Sequence, residues 1–427
     1  MAFVAVAGLV LGLALAAVLV WMNVVRPRLG LYALLAITPL QFIFLPVGSF
    51  FLSPADGLAL AAAAAFALRL TTGAAAARRA VWLHVMLLAM IGAYLVGFVA
   101  LDYVSRTLVR VPLAIVPSLL ACELIRTRQH LRTATAALVV AGLVDAAYGA
   151  AFAAIGQPLH PTRFSGMMGV NFSAIVILTA AAVAFARVAR TREPVKFLLP
   201  AGLALAGVAT LSKMGILALG IAALVVVLRI ATRANRRLLV TAAIALVVLA
   251  LSQGAVRQRV LARAQPELQL DGVYRTSTDV RAMILQAAWT AFGEHPFVGI
   301  GYHGFERYSR QDQVIWRSTG GVGYATHNTY VEILVEGGLL AIVAFLAHFF
   351  TYALGMKSAW LAVVRHRDPL VAAGLAGLTV MLVSASAANL LLHYQFWAAC
   401  GVALACIARC REEGPRAWQP GPVIMPG

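Results

Sequence analysis

The segment Ala325-Thr-His-Asn-Thr-Tyr330 sets a histidine and an asparagine immediately before a long apolar run, Val331 to Phe350. A histidine in that position lies beside the unpaired amides and the positive dipole end of a helix. Such a place favours anions and lowers the basicity of an imidazole, so His327 is a candidate neutral proton acceptor. The competing reading is a plain cap, in which Asn328 satisfies the backbone donors and His327 is incidental. Two more polar islands interrupt apolar sequence: His160-Pro-Thr-Arg-Phe-Ser-Gly166, with Asn171 opening the next run, and Leu211-Ser-Lys-Met-Gly215. Arg163, Lys213, Arg275 and Arg281 are the candidate anion ligands. A planar guanidinium fork suits phosphate, whereas the bland alternative is a long side chain reaching to lipid headgroups. Several such cations facing one side could hold a pyrophosphate without a metal. No metal site and no cofactor are expected, since Asp56, Asp102 and Asp145 are isolated along the chain and His295 and His303 have no third ligand. The cysteines Cys122, Cys400, Cys406 and Cys410 show neither a disulfide framework nor a zinc spacing.

These residues need elements to position them, and composition dictates the kind. Hydrophobic residues make up 62% of the 427 and charged residues only 12%, with mean hydropathy +0.88. A soluble domain carries about a quarter charged residues. The apolar residues come in long runs bounded by Arg, Gly or Pro. In hydrocarbon every backbone polar group must pair within its own segment, so such runs are helices. The expected class is an all-α, polytopic membrane protein of about twelve or thirteen spans. Candidate spans are 3–22, 29–46, 57–70, 80–101, 108–124, 134–155, 171–188, 197–212, 214–230, 238–254, 329–354, 370–389 and 394–408. The third is short, which leaves the total and the side of the N-terminus open.

The net charge of +18 sits in small groups between apolar runs, as in Arg187, Arg190, Arg192 and Lys196, rather than in one arm. That pattern marks the cytoplasmic side of a membrane protein and argues against nucleic acid. The expected organisation is a helical domain over 1–411, a long extracytoplasmic loop over 255–328 inserted in it, and a disordered cytoplasmic tail over 412–427. The loop carries Arg257, Arg259, Arg263, Arg275, Arg281, Arg307, Arg310 and Arg317 on the side basic residues avoid, which invites an anionic ligand. Within it, Met283, Ile284, Ala287, Ala288 and Ala291 predict a helix over 280–292 at or near the membrane surface. His295-Pro296 ends that helix, and Gly299-Ile-Gly-Tyr-His-Gly304 is a turn-rich backbone open to close approach by a ligand.

The order of these features resembles the O-antigen ligase and polymerase family across roughly residues 150–350. Arg163-Phe-Ser-Gly166 followed by Gly169-Val-Asn171 resembles the family's Arg-x-x-Gly segment leading to Gly-x-Pro-Asn, with Val170 where Pro is usual. Ser212-Lys213 is similar to its Ser-Arg pair, and Arg281, Trp289, His295-Pro296 and Gly299-Ile-Gly301 to its Arg…Trp…Pro…Gly-x-Gly run. His327-Asn328, nine residues, then Gly338 resembles the ligase signature His-(Asn/Ser/Gln)-x9-Gly-x-x-(Gly/Thr/Tyr), whose last position here is Ala341. The resemblance implies a metal-independent, inverting glycosyltransferase of the C-type membrane class. Its donor would be an undecaprenyl-pyrophosphate-linked glycan and its acceptor a sugar hydroxyl, of the lipid A core in a ligase or of a glycan in a polymerase. It implies a bacterial inner membrane location with the site on the periplasmic side. His327 would be the general base, Arg163 and Arg281 the pyrophosphate ligands, and Lys213 a monodentate substitute for the family's Arg. Arg275 joins them by proximity in sequence, and Asn328 and Asn171 support them. Besides the polymerase, two rivals stand: transfer to protein hydroxyls, and a lipid-linked glycan transporter. The latter predicts internal repeats and mid-span charges that the sequence does not display.

Overall fold

The computed structural model describes residues 18, 20–43, 45–47, 50–72, 91–96, 110–159, 164–241, 266–270, 273–311 and 325–413. The expected spans 80–101 and 238–254, most of 3–22, the tail after Glu413, and Arg163 lie wholly or largely outside these residues. The chain is a helical polytopic membrane protein. Among the described residues five helices are long and apolar enough to cross a membrane: Pro54–Thr71, Arg128–Ala154, Val170–Val188, Lys213–Ile230 and Thr329–Ala353. Pro194–Ala209 and Pro369–Ala385 are shorter apolar helices.

In chain order the main helices are α1 (Pro27–Ala36), α2 (Pro54–Thr71), α3 (Arg110–Leu124), α4 (Arg128–Ala154), α5 (Val170–Val188), α6 (Leu198–Ala209) and α7 (Lys213–Ile230). They continue with α8 (Ser277–Glu294), α9 (Gly304–Gln311), α10 (Thr329–Val364), α11 (Pro369–Ala385) and α12 (Tyr394–Glu413). Two antiparallel hairpins interrupt the helices: β1 (Leu45–Val47) with β2 (Phe50–Leu52), and β3 (Pro266–Leu270) with β4 (Val273–Thr276). The first corrects the expected span 29–46. There α1 stops at Ala36, a 3-10 turn follows over Thr38–Phe42, and the chain turns back as β1 and β2. Pro39 removes an amide the helix would need, and apolarity alone does not separate a helix from a buried turn and strand. The third expected span is a full 18-residue helix, opened by a capping box between Ser53 and Asp56.

Helix α5 is the centre of the core. From Ser173 to Ala184 every residue is buried, and α4, α6, α7 and α11 pack around it. Its wall is rich in alanine, including Ala174, Ala180, Ala181, Ala182 and Ala186, which lets helix backbones approach closely where lipid supplies no hydrophobic drive.

Side-chain and loop contacts define the two ends of the bundle. At one end Arg128 pairs with Asp368, Arg187 Nη1 donates to Thr135 Oγ1 at 3.3 Å, and Asn235 Nδ2 donates to the carbonyls of Ala189 and Thr191 at 2.8 Å. The other end joins Arg110 to Asp56, Tyr394 to Asp56, Phe164 to Ala209, and Thr329 to Ala388. Arg26, Arg28, Arg69, Arg126 and Arg132 fall at the first end, and His327 at the second.

Candidate functional site

The site is built where α10 begins. Asn328 is its cap: Oδ1 accepts from Tyr330 N at 3.0 Å and Val331 N at 3.2 Å. The cap is thus made by Asn328, as the competing reading expects, and the case for His327 rests on its surroundings. His327 itself has φ +51, in the left-handed region, and is partly buried. A non-glycine residue there is held by its surroundings. Here the surroundings are the loop before α12: Thr326 Oγ1 bonds Asn389 Oδ1 at 3.2 Å, Thr329 Oγ1 donates to Ala388 O at 2.6 Å, and Leu390 N donates back to Thr329 Oγ1 at 2.8 Å. If the cap accounts only for folding, Asn328→Ala costs about 1 kcal/mol of stability, typical of a lost helix cap. A thermal unfolding midpoint that falls, with transfer per folded molecule nearly kept, is the expected result.

Burial lowers the basicity of the His327 imidazole, and the positive charge of Arg281 lowers it further. His327 and Arg281, 46 residues apart in sequence, are therefore electrostatic neighbours. Arg281 is exposed in the first turns of α8. One face of α8 (Val280, Ile284, Ala287, Ala288 and Ala291) packs with Val335 of α10 and with Ile300 and Phe305. The expected helix over 280–292 is present and longer, and its apolar face meets protein. Its opposite stripe, Arg281, Leu285 and Trp289 at four-residue spacing, is exposed.

A break in α10 fixes the relation between these two helices. Gly338 has φ +66 and ψ −167, and the helix restarts after it. The backbone groups freed by the break do not reach for water. Ile300 N donates to Val335 O at 3.0 Å and Gly301 N to Glu336 O at 2.9 Å, while Leu339 N donates to Pro296 O at 2.8 Å and Leu340 N to Phe297 O at 3.2 Å. The Glu336 carboxylate accepts from His303 N at 3.1 Å and Phe305 N at 3.4 Å, covering the start of α9. A broken helix at membrane depth is tolerated where protein satisfies its backbone, as here. The fit requires glycine on both sides. A Cβ on Gly299, φ +69, would stand 2.4 Å from Glu336 C, and one on Gly338 would stand 2.4 Å from Phe297 C and O. The Gly-x-Gly turn, read from sequence as open to a ligand, is occupied by the chain's own backbone.

The remaining candidates distribute around the same end. Lys213 is exposed in the first turn of α7, behind the Ser212 cap. Phe164, next to Arg163, donates its amide to Ala209 O at 3.1 Å, which places the Gly166 loop beside the turn leading to Lys213. Asp145, isolated in sequence, organises that loop: its Oδ1 accepts from Met167 N at 2.7 Å and Met168 N at 3.3 Å. Asn171 is exposed at the start of α5, and its neighbour Phe172 stacks on His393 at 4.2 Å. Arg275 lies in β4, its backbone opposite Leu268. The structure thus sets His327 within the field of Arg281, and the Gly166 loop beside the turn that leads to Lys213. Asp145, Glu336 and the Gln41–His393 contact at 3.1 Å are supports that sequence reasoning missed. A carboxylate inside an apolar run, solitary for Asp145 and paired with Glu332 for Glu336, was the available signal for the first two.

Residues 198–346, from α6 into α10 past the break, match the family model described as O-antigen ligase. No curated relative matches the chain.

Proposed function

From the match of residues 198–346 to the O-antigen ligase family model, we propose that the chain has a glycan-transfer role in O-antigen-type synthesis, with the following donor, acceptor and mechanism. The donor is a glycan on undecaprenyl pyrophosphate, and the acceptor is a sugar hydroxyl of the lipid A core. The His327 end of the bundle faces the periplasm, and the arginine-rich end faces the cytoplasm of a bacterial inner membrane.

In this reading the acceptor oxygen attacks the anomeric carbon from the face opposite the pyrophosphate. A new C–O bond forms, the bond to the pyrophosphate breaks, and the lipid pyrophosphate leaves with the electron pair. The acceptor proton passes to His327. Arg281, with Arg163 and Lys213, stabilises the charge that grows on the leaving group. A pyrophosphate is already a good leaving group, so positioning and electrostatic stabilisation suffice without a metal. One observation supports the assignment: His327 is partly buried beside the start of α10 and lies within the field of Arg281. Burial and that charge both keep it neutral, the form a base requires.

A polymerase would share all of this except the acceptor. Ala341, where the sequence departs from the ligase signature, is fully buried in the core. The departure therefore concerns packing and leaves the acceptor question to experiment. Deleting the gene and analysing surface glycans decides it: full-length polymer stranded on the lipid carrier supports the ligase. Single repeat units on finished lipopolysaccharide would show a polymerase instead.

The fork of Arg281 gives a further test. Arg281→Lys keeps the charge and loses bidentate contact. One charge-assisted hydrogen bond is worth about 1.5 kcal/mol or more, so transfer should fall by at least about tenfold. A lysine variant as active as the wild type would remove Arg281 from phosphate recognition.

A further inference from the structure

At the end of the bundle opposite His327, the ends of α2 and α3 and the start of α1 enclose a cavity of about 490 Å³. Four guanidinium groups line it, from Arg26, Arg28, Arg69 and Arg126, against one carboxylate, Glu123. Two of the arginines each spend one guanidinium N–H on a backbone carbonyl and keep the others. Arg126 Nε donates to Glu123 O at 2.9 Å, and Arg69 Nη1 donates to Val24 O at 2.7 Å. Among the described residues Arg26 and Arg28 form no ion pair, and both are exposed. Charge of one sign converging on one cavity is unfavourable unless an anion or water offsets it.

Positive residues at this end could serve topology alone, and most do so scattered over loops. The cavity differs in what surrounds it. Phe66 forms part of the wall, and Trp21, Val25 and Leu29 are 66%, 54% and 47% exposed on the adjoining helical surface. In a membrane protein, exposed large apolar side chains face lipid, and tryptophan marks the headgroup level. The cavity thus lies where apolar surface gives way to guanidinium groups. A ligand matching both has a phosphate and an apolar tail.

We propose that this cavity binds the phosphate headgroup of an anionic membrane lipid, such as phosphatidylglycerol or cardiolipin, from the leaflet at the arginine-rich end. The arginine forks pair with the phosphodiester, and Phe66, Val25 and Leu29 contact the glycerol and upper acyl chain. This site is independent of the transfer chemistry at the opposite end.

The full chain, purified in neutral detergent, is tested by native mass spectrometry and thermal unfolding with added phosphatidylglycerol, cardiolipin or phosphatidylcholine. Anionic lipid should be retained and raise the unfolding midpoint, and phosphatidylcholine should not. Arg28→Gln with Arg126→Gln should weaken anionic lipid binding about thirtyfold, from about one charge's attraction per arginine removed. The control, Arg233→Gln with Arg237→Gln, removes two exposed arginines elsewhere on the protein and should bind as the wild type does. Arg28→Lys with Arg126→Lys, which keeps the charge, should recover most of the binding and guards against a folding defect. Equal binding by the glutamine variant, or equal loss in the control, would overturn the proposal. So would inorganic phosphate alone stabilising the wild type as well as lipid does, since the ligand would then be a soluble anion.

Discussion

Glycan transfer by the His327→Ala variant falls by about 10²–10⁴-fold, the contribution of a positioned general base, while the protein folds and inserts normally. Asn328 already caps α10, so removing the His327 ring leaves the helix start intact. The backbone at φ +51 needs a residue that tolerates the left-handed region. His327→Asn is the matching control, because asparagine accepts that conformation and cannot take the proton. The two variants should be equally inactive, with a near-native unfolding midpoint for the asparagine variant and a modestly lower one for alanine, which is strained at positive φ. The pH dependence supplies the sign. Burial first, and then Arg281, lower the basicity of His327. The active neutral form therefore predominates at and above neutral pH, and the rate declines only as pH falls below the ordinary imidazole range. Arg281→Gln removes a positive charge and should shift that acid limb to higher pH, besides lowering the rate. A limb that stays in place would mean another group titrates.

The second large effect concerns folding rather than chemistry. Gly338→Ala places a Cβ 2.4 Å from the Phe297 carbonyl in a backbone conformation, φ +66 and ψ −167, open essentially to glycine alone. Strain of about 1–3 kcal/mol adds to the loss of hydrogen bonds that join the break to residues 296–301. The expected result is a sharp fall in folded yield and unfolding midpoint. Any folded remainder should transfer poorly, since the break fixes α8, and hence Arg281, relative to His327. Gly220→Ala in α7 is the contrast: no atom lies within 4 Å of its added Cβ, so stability should hold. A Gly338→Ala protein as stable as Gly220→Ala would refute the interlocked break.

Much of this was legible in the sequence, for identifiable reasons. Backbone solvation ties long apolar runs to helices, so α4, α5, α7 and α11 follow from hydropathy alone. The amphipathic spacing from Val280 to Ala291 located α8, and the polar His327-Asn328 before an apolar run located the start of α10. What failed needed knowledge of partners. The run from Leu29 to Pro46 is apolar throughout, and hydropathy does not say that it turns at Pro39 into a hairpin. The break at Gly338 was invisible, because a glycine inside an apolar run reads as a tolerated helix residue until its partner, Gly299, is brought against it. Asp145 and Asp56 are solitary along the chain, yet one holds the Gly166 loop and the other receives Arg110 and Tyr394. Arg163 lies outside the described residues, and its role as a phosphate ligand is part of the proposal.

The central claim is spatial: a neutral imidazole and guanidinium groups distant in sequence converge on one leaving group. The most direct measurement is an electron cryomicroscopy structure of the full chain in lipid nanodiscs with a non-hydrolysable undecaprenyl pyrophosphate donor analogue. The pyrophosphate is predicted to lie within hydrogen-bond distance of the Arg281 guanidinium, with the His327 ring facing the anomeric position. A pyrophosphate bound away from Arg281, or a His327 ring turned from the donor, would contradict the account.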